Sequence, residues 1–588
     1  MLSTTRLRAA WPYLLYAAIV AWYCAPLFAS PNGLGAQDWD QHLFYYGSVL
    51  KSVFEYGQLP FWNPWYCGGN VLWQNPQVPL LSPVFPLALV VSLPLAMKIN
   101  IAFHYWIGLV GMHVLLTSSL GVRSRIVSIA IAVVAVCSGG MAMHLAVGHS
   151  VFLPVLYLPF QLHFVIRGVR SGAVRDAACA AIPLALMVYN GALHAAPMSV
   201  ASIGVFCVCA SVAQRRIQPL AVGLLIGVLA FAYAAPKLVP IVMFVNSAQF
   251  LDARPTIEHP DAMSLEMLTR TYLDRYQYRN LQLDGQRSGW FEYGNYIGGV
   301  GASVILAGLA LALFVPATRD RWLGLSLAAA ALVCLVLSAG EFSAFAPASL
   351  ARSLPLFSSF RIPSRYTLAF VVFGAAAAGW AWTAASLNLT ANRAASVLVL
   401  AIGSAAMLDV VSQNRVQFEG VFSLPPLERG FTLGRGSSAA PVVERAGNPY
   451  GENSPMLRAL MSDVDFYNCY EPLQLVRNAA ADRPLVITDE KSRIFQTRFT
   501  PNRIDVSVTN GREPSEVRLN QNAALGWSSS GGPVTADGAP GMRVLVQPGH
   551  AGTLTFRYVP PGLYLGSLIG LLGLAVSFIC RHRRIADV

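Results

Sequence analysis

The sequence predicts a polytopic α-helical membrane protein of about 12 transmembrane helices, at about 20 apolar residues per crossing, with a small extracytoplasmic β-sandwich domain before the last helix. Three observations predict it. The 588-residue chain is 55% hydrophobic and only 12% charged, with a mean hydropathy of +0.50, too apolar for a water-soluble domain. Its apolar stretches recur at the length of a membrane crossing, separated by short connections. Between 412 and 560 the composition turns polar, and apolar residues fall at every second position, the period of half-buried strands.

The elements follow in order. Arg6 and Arg8 precede the apolar run 11–29, which is long enough to cross and lacks a small-x-small cleavage site, so it reads as an uncleaved first helix and not a removed signal. Further crossings are expected at 101–120, 126–143, 151–166, 177–189, 195–212, 220–233, 297–315, 322–338, 366–385, 394–411 and 563–579. The stretch 81–96 is apolar but carries Pro83, Pro86 and Pro94. A crossing there would invert every later connection, so a re-entrant or interfacial segment covered by protein is expected.

Charge orients these helices. Arg123 and Arg125, then Arg167, Arg170 and Arg175, then Arg215 and Arg216, Arg319 and Arg321, Arg393, and Arg581, Arg583 and Arg584 lie on alternate connections. The positive-inside rule assigns those connections and both termini to the cytoplasm. The net charge of +12 is spread through them instead of forming a patch, which argues against a nucleic-acid partner. Three regions result: a transmembrane domain over 1–411 with outer loops 30–97 and 236–295, an outer domain over 412–560 with strands expected at 503–509, 515–520, 542–547 and 553–558, and a last helix with a basic tail over 561–588.

Polar residues of functional type collect on the outward side. Asp38 and Asp40 follow the first helix; in an extended segment both would face one way, suited to deprotonating a hydroxyl or binding a divalent cation such as Mg or Mn. As part of a helix start, either would instead be a cap. Arg361 and Arg365 open a later helix on the outer side, against the usual charge bias, and offer planar donors for phosphate or partners for outer-loop acids. Lys237 stands at the outer edge of a span, placed to neutralise a phosphate or to snorkel. Glu292, in Trp290-Phe291-Glu292-Tyr293, is a candidate for a cation or a sugar hydroxyl. His104 and His113 lie within a span, His149 and His194 at outer ends, and Asp409 near another; intramembrane ionisable groups are functional candidates or neutral partners of a neighbouring helix.

Of the 9 cysteines, only Cys67 and Cys469 fall well outside the membrane in this topology, where a disulfide between them is permitted. Cys207 and Cys209 sit inside an apolar run, without metal-ligand spacing. The acceptor triplet Asn388-Leu389-Thr390 falls on the cytoplasmic side and is expected to be idle.

Several stretches together resemble a known family. These are Gly57-Gln58-Leu59-Pro60-Phe61-Trp62-Asn63-Pro64, the turn Cys67-Gly68-Gly69 and the Pro-rich run to Pro86, Gly148-His149 with Leu153-Pro154, the segment from Pro236 to Pro240, Tyr296-Ile297-Gly298, and the arginine motif from Phe360 to Tyr366. Gly526-Trp527, Asp537-Gly538 and Phe556-Arg557-Tyr558 extend the likeness to the C-terminus. The chain resembles the YfhO-like bacterial membrane proteins, which belong with the GT-C superfamily of polyprenyl-phosphate-sugar glycosyltransferases. The resemblance implies a GT-C-like transmembrane domain in a bacterial inner (plasma) membrane. It implies a hexosyltransferase that takes a sugar from a lipid-linked phosphate on the outer face and delivers it to a cell-envelope glycan, lipid or protein. Asp38 and Asp40 occupy the position of the family's acid, and Lys237, Arg361 and Arg365 are candidates for holding the lipid phosphate. His149, Glu292, Trp62 and Asn63 are placed with the substrate, the aromatic loop stacking on sugar rings. The adjacent Asp-Glu pair familiar from the superfamily is absent. A non-catalytic glycan-binding scaffold and a transporter of lipid-linked sugars are the alternatives, though the inverted repeats typical of transporters are not visible.

Overall fold

The computed structural model describes the chain except residues 1–3, 193, 248–249, 251–260, 284–285, 287, 315–319, 354–361, 386–392, 429, 432–441, 445–453, 468–474, 482 and 586–588. Among the described residues, 10 helices are long and apolar enough to cross a membrane, from Ala10–Phe28 to Arg393–Phe418. Two shorter helices, Val174–Tyr189 and Leu563–Ile579, take the remaining positions where the sequence predicts crossings. Both pack along Gln218–Val245. The last helix approaches it through Gly566, Gly570 and Gly573: a Cβ at Gly566 would stand 2.3 Å from the Ala235 carbonyl oxygen, so only the smallest side chain allows that backbone-to-backbone distance.

The arginine alternation becomes a spatial sorting of the two ends. At one end Arg170 pairs with Asp320 at 3.1 Å, and Ala173 bridges to Arg584. At the other end lie Asp38, His149, Glu292 and Arg365, from four separate connections.

The proline-bearing stretch forms no helix of membrane-spanning length before Leu93. A single helical turn, Val84–Leu87, is followed by Ser92, whose hydroxyl accepts from the Leu95 amide and starts the helix Leu93–Val114 with Pro94 in its first turn, a standard entry chemistry. The crossing expected at 101–120 therefore begins earlier. Lys98, buried within it, donates to the carbonyls of Ser30, Pro31 and Gly33, fastening the segment that leaves the first helix.

The strands are β1 (Trp62–Asn63) and β2 (Asn70–Val71), a hairpin in the opening loop, the parallel pair β3 (Val442–Glu444) and β4 (Val464–Phe466), and β5 to β11 beyond residue 485. These last are β5 (Val486–Thr488), β6 (Ser492–Thr500), β7 (Arg503–Asn510), β8 (Ser515–Leu519), β9 (Trp527–Ser529), β10 (Met542–Val546) and β11 (Ala551–Tyr558). They make two antiparallel sheets, ordered β10-β8-β5 and β6-β7-β11-β9. Alternate residues such as Ile504, Val506 and Val508 on β7, Val517 and Leu519 on β8, and Leu554 and Phe556 on β11 are buried in one core, the packing of a sandwich. The four strands expected from period-two patterning are β7, β8, β10 and β11; β5, β6 and β9 have weaker alternation.

Candidate functional site

Asp38 is the first residue of the helix Asp38–Leu50, and its amide donates to the Val147 carbonyl at 3.2 Å. Trp39 adds a second tie, its indole N–H donating to the Leu145 carbonyl at 2.8 Å. Between them Gly148 has φ +104, and a Cβ there would lie 2.2 Å from the Trp39 amide nitrogen. A glycine is therefore required for the 145–149 turn to lie against the helix start. That contact delivers His149 to Asp38, Nε2 to Oδ2 at 3.1 Å, with side chains 13% and 28% exposed. Both are reachable from outside. His144, in the last turn of Gly139–Ala146, meets His149 through their Nδ1 atoms at 3.0 Å.

The other half of the site comes from two short turns. Glu292 lies in Trp290–Tyr293, its carbonyl accepting from the Ser364 hydroxyl at 2.9 Å. Arg365, in the 3-10 turn Pro363–Tyr366, grips the Glu292 carboxylate with two parallel bonds, Nε to Oε2 at 2.8 Å and Nη2 to Oε1 at 2.5 Å, the bidentate geometry that makes such pairs strong. Its Nη1 donates to His194 Nε2 at 2.9 Å. Phe152 is the packing post: His144 stacks on it at 4.1 Å and His194 at 5.2 Å, and the guanidinium lies over its ring. His144 Nδ1 stands 3.9 Å from Glu292 Oε2. Asp38, His149, His144, Glu292, Arg365 and His194 thus form one polar chain at a single end of the membrane helices, with Phe291 against His149 at 6.0 Å.

The electrostatics separate an outer acid from inner neutral rings. Burial alone would raise the Asp38 carboxyl, but the hydrogen bond and charge of His149 outweigh it and hold the group below its ordinary value. One turn further on, burial pushes the His42 imidazole down to about 4, so it is neutral at neutral pH. Burial, with the Arg365 charge adding to it, likewise holds His194 well below its ordinary value. Asp38 is thus an ionised, partly exposed carboxylate bonded to an imidazole.

Of the residues singled out from sequence, Asp38, His149, Glu292 and Arg365 are brought together. Asp40 is not. It lies in a helix and not in an extended segment, so two positions turn it about 200° from Asp38. Its two oxygens accept the amides of Met456 and Leu457 at 2.9 and 3.0 Å. It caps the helix Pro455–Met461 and leaves no shared Mg or Mn site with Asp38, correcting both expectations. Lys237 neither snorkels nor faces a phosphate site: fully buried, it donates to the Val78 and Val188 carbonyls at 2.5 and 3.0 Å, binding the opening loop to a helix C-terminus. Trp62 is equally buried, its indole N–H on Gln521 at 2.8 Å and its ring against Trp527 and Tyr558. Asn63 bonds Ser48 and the Trp65 amide. Both dock the loop inside the protein instead of presenting a sugar platform.

Arg361 and Cys469 lie outside the described residues, as does the triplet at 388–390. Cys67 is disulfide-bonded, whereas the seven other described cysteines are free thiols. His104 and His113 have the neutral partners Tyr157 and Tyr16, and Asp409 pairs with Arg275. Sequence reasoning missed His42, His144 and Phe152. The signal for His144 was its place five residues before His149, obscured by the apolar run around it.

No protein-family model matches the chain, and no curated protein matches it in sequence. Among solved structures, the cryo-EM structure of the arabinofuranosyltransferase AftD from Mycobacteria superimposes with a TM-score of 0.43 at 18% identity over 68% of this chain. A second AftD structure, of a mutant, gives a TM-score of 0.41 at 17% identity over 67% of this chain. In both cases the overlap spans 27% of the AftD chain.

Proposed function

We propose that this protein is a GT-C-type membrane glycosyltransferase that moves a sugar from a polyprenyl-phosphate donor to an envelope glycan, lipid or protein. Transfer takes place at the membrane face where Asp38 lies. That face is extracytoplasmic and both termini are cytoplasmic, on the strength of the arginine alternation. The single observation carrying the reading is the Asp38–His149 pair, a reachable carboxylate held ionised at the end of a helix bundle.

In this reading the Asp38 carboxylate takes the proton of the acceptor hydroxyl as that oxygen bonds to the anomeric carbon. The carbon–oxygen bond to the lipid phosphate breaks, and its electron pair leaves with the phosphate. Arg365 positions Glu292 and His194 beside this centre, and Arg361 is assigned to the departing phosphate. A groove of about 270 Å³, lined by apolar residues including Ile131, Val304, Gly308, Ala378 and Ile402, supplies a lateral berth for an isoprenoid tail. Three of its four walls continue into His144, Glu292 and Arg365.

The test is sugar transfer in membranes, using a panel of polyprenyl-phosphate sugars and the variants Asp38→Asn and His149→Gln. Loss of about 100-fold or more is expected for Asp38→Asn, the scale of a general base, with a smaller loss for His149→Gln. Undiminished transfer by both variants would overturn the assignment.

A further inference from the structure

We propose that His144, His149 and Glu292 bind a divalent transition-metal ion of the zinc class, with Asp38 as the outer carboxylate that orients His149. One donor atom from each of the three lies within 4.8 Å of the others. Zinc holds nitrogen and oxygen ligands at about 2.0–2.2 Å, so neighbouring donors in a tetrahedral shell stand roughly 3.3 Å apart. The 3.0 Å between the two Nδ1 atoms is close to this already. The 3.9 Å from His144 Nδ1 to Glu292 Oε2 closes with a small rotation of the carboxylate.

The surroundings point the same way. Asp38 Oδ2 lies 3.1 Å from His149 Nε2, which places a proton on that nitrogen and turns the Nδ1 lone pair toward His144 and Glu292. A carboxylate bonded to the far nitrogen of a ligating histidine is the usual outer support of such sites. The cluster holds two carboxylates, Asp38 on His149 and Glu292 on Arg365, against one guanidinium, so an added cation balances its charge. Two imidazoles and one carboxylate favour zinc-like ions over Mg or Ca, which prefer all-oxygen shells. Three protein ligands leave a fourth position open, and the partial exposure of His149 and Asp38 gives access to it.

This inference goes beyond the transferase reading, since a chain that merely bound glycan would hold the ion equally. The test uses the full-length protein in detergent, with any affinity tag removed, stripped with a chelator and titrated with Zn²⁺ and Co²⁺. About one equivalent per chain is expected, with Co²⁺ giving the intense visible bands of a low-coordinate site. His144→Ala and Glu292→Gln should abolish it. Asp38→Asn should keep the stoichiometry, weaken binding about 10–100-fold and shift the Co²⁺ spectrum, which a purely structural role would not do. Because Glu292→Gln disturbs the pair with Arg365, the decision rests on the wild type and His144→Ala: a stripped, folded wild-type protein that takes up neither ion overturns the site, as does unchanged uptake by folded His144→Ala.

Discussion

The carboxylate of Asp40 accepts the backbone amides of Met456 and Leu457 at 2.9 and 3.0 Å, so an acid just after the first membrane helix caps a helix in the C-terminal domain. Asp38, its near neighbour in sequence, instead meets His149 at 3.1 Å. The two aspartates therefore have separate partners, one a helix start in the C-terminal domain and the other the histidine proposed to share its site.

Asp40→Ala should therefore destabilise without touching the proposed reaction centre. It strands two buried amides, at a cost of about 1–3 kcal/mol for an unmet donor. A drop of several degrees in thermal midpoint, read by unfolding in detergent, is expected, with a smaller drop for Asp40→Asn, which keeps one acceptor. An unaltered midpoint would show that the cap contributes nothing.

Acidification should weaken the fold through His42. Its imidazole titrates near 4 in the folded chain and near 6.5 when free, so the unfolded chain takes up a proton first as pH falls. Stability is fully present above about 6.5 and declines between there and about 4, by up to about 3 kcal/mol. Thermal midpoints measured from pH 7.5 down to 4.5 should show this slope, reduced in His42→Gln. An equal slope in the variant would assign the effect to other groups.

Lys237→Met should cost stability, not donor recognition. The substitution removes the ammonium from the Val78 and Val188 carbonyls, leaving buried acceptors unpaired at about 1–3 kcal/mol. Limited proteolysis should find the opening loop more readily cut, while the affinity for a lipid-phosphate sugar in surviving protein stays within about twofold. A selective loss of that affinity would return Lys237 to the binding site.

Much of the architecture was legible because it rests on local patterning. Apolar run length places the crossings, arginine alternation sorts their ends, and period-two burial marks β7, β8, β10 and β11. The site was half legible. Asp38, His149, Glu292 and Arg365 stand out as polar groups at helix ends, where solvation gives no reason for an apolar sequence to keep them. What was hidden depends on distant contacts. Whether Asp38 and Asp40 share a face turns on helix against extended backbone, and Lys237 and Trp62 resemble ligand-binding residues because burial with polar partners demands the same chemistry. His144 was hidden in its apolar run, because its tie to His149 depends on Gly148 letting the 145–149 turn lie against Trp39.

The clasp between Asp40 and Met456 also sets an order of biogenesis. The two residues are separated by 416 positions, and at about 5–20 residues per second of synthesis the wait between them is roughly 20–80 seconds. During that interval the first outer segment has left the ribosome without the amides it is shaped to receive. The helix start that carries both aspartates is therefore clasped only once Met456 has been made, long after His149, the partner of Asp38, is in place.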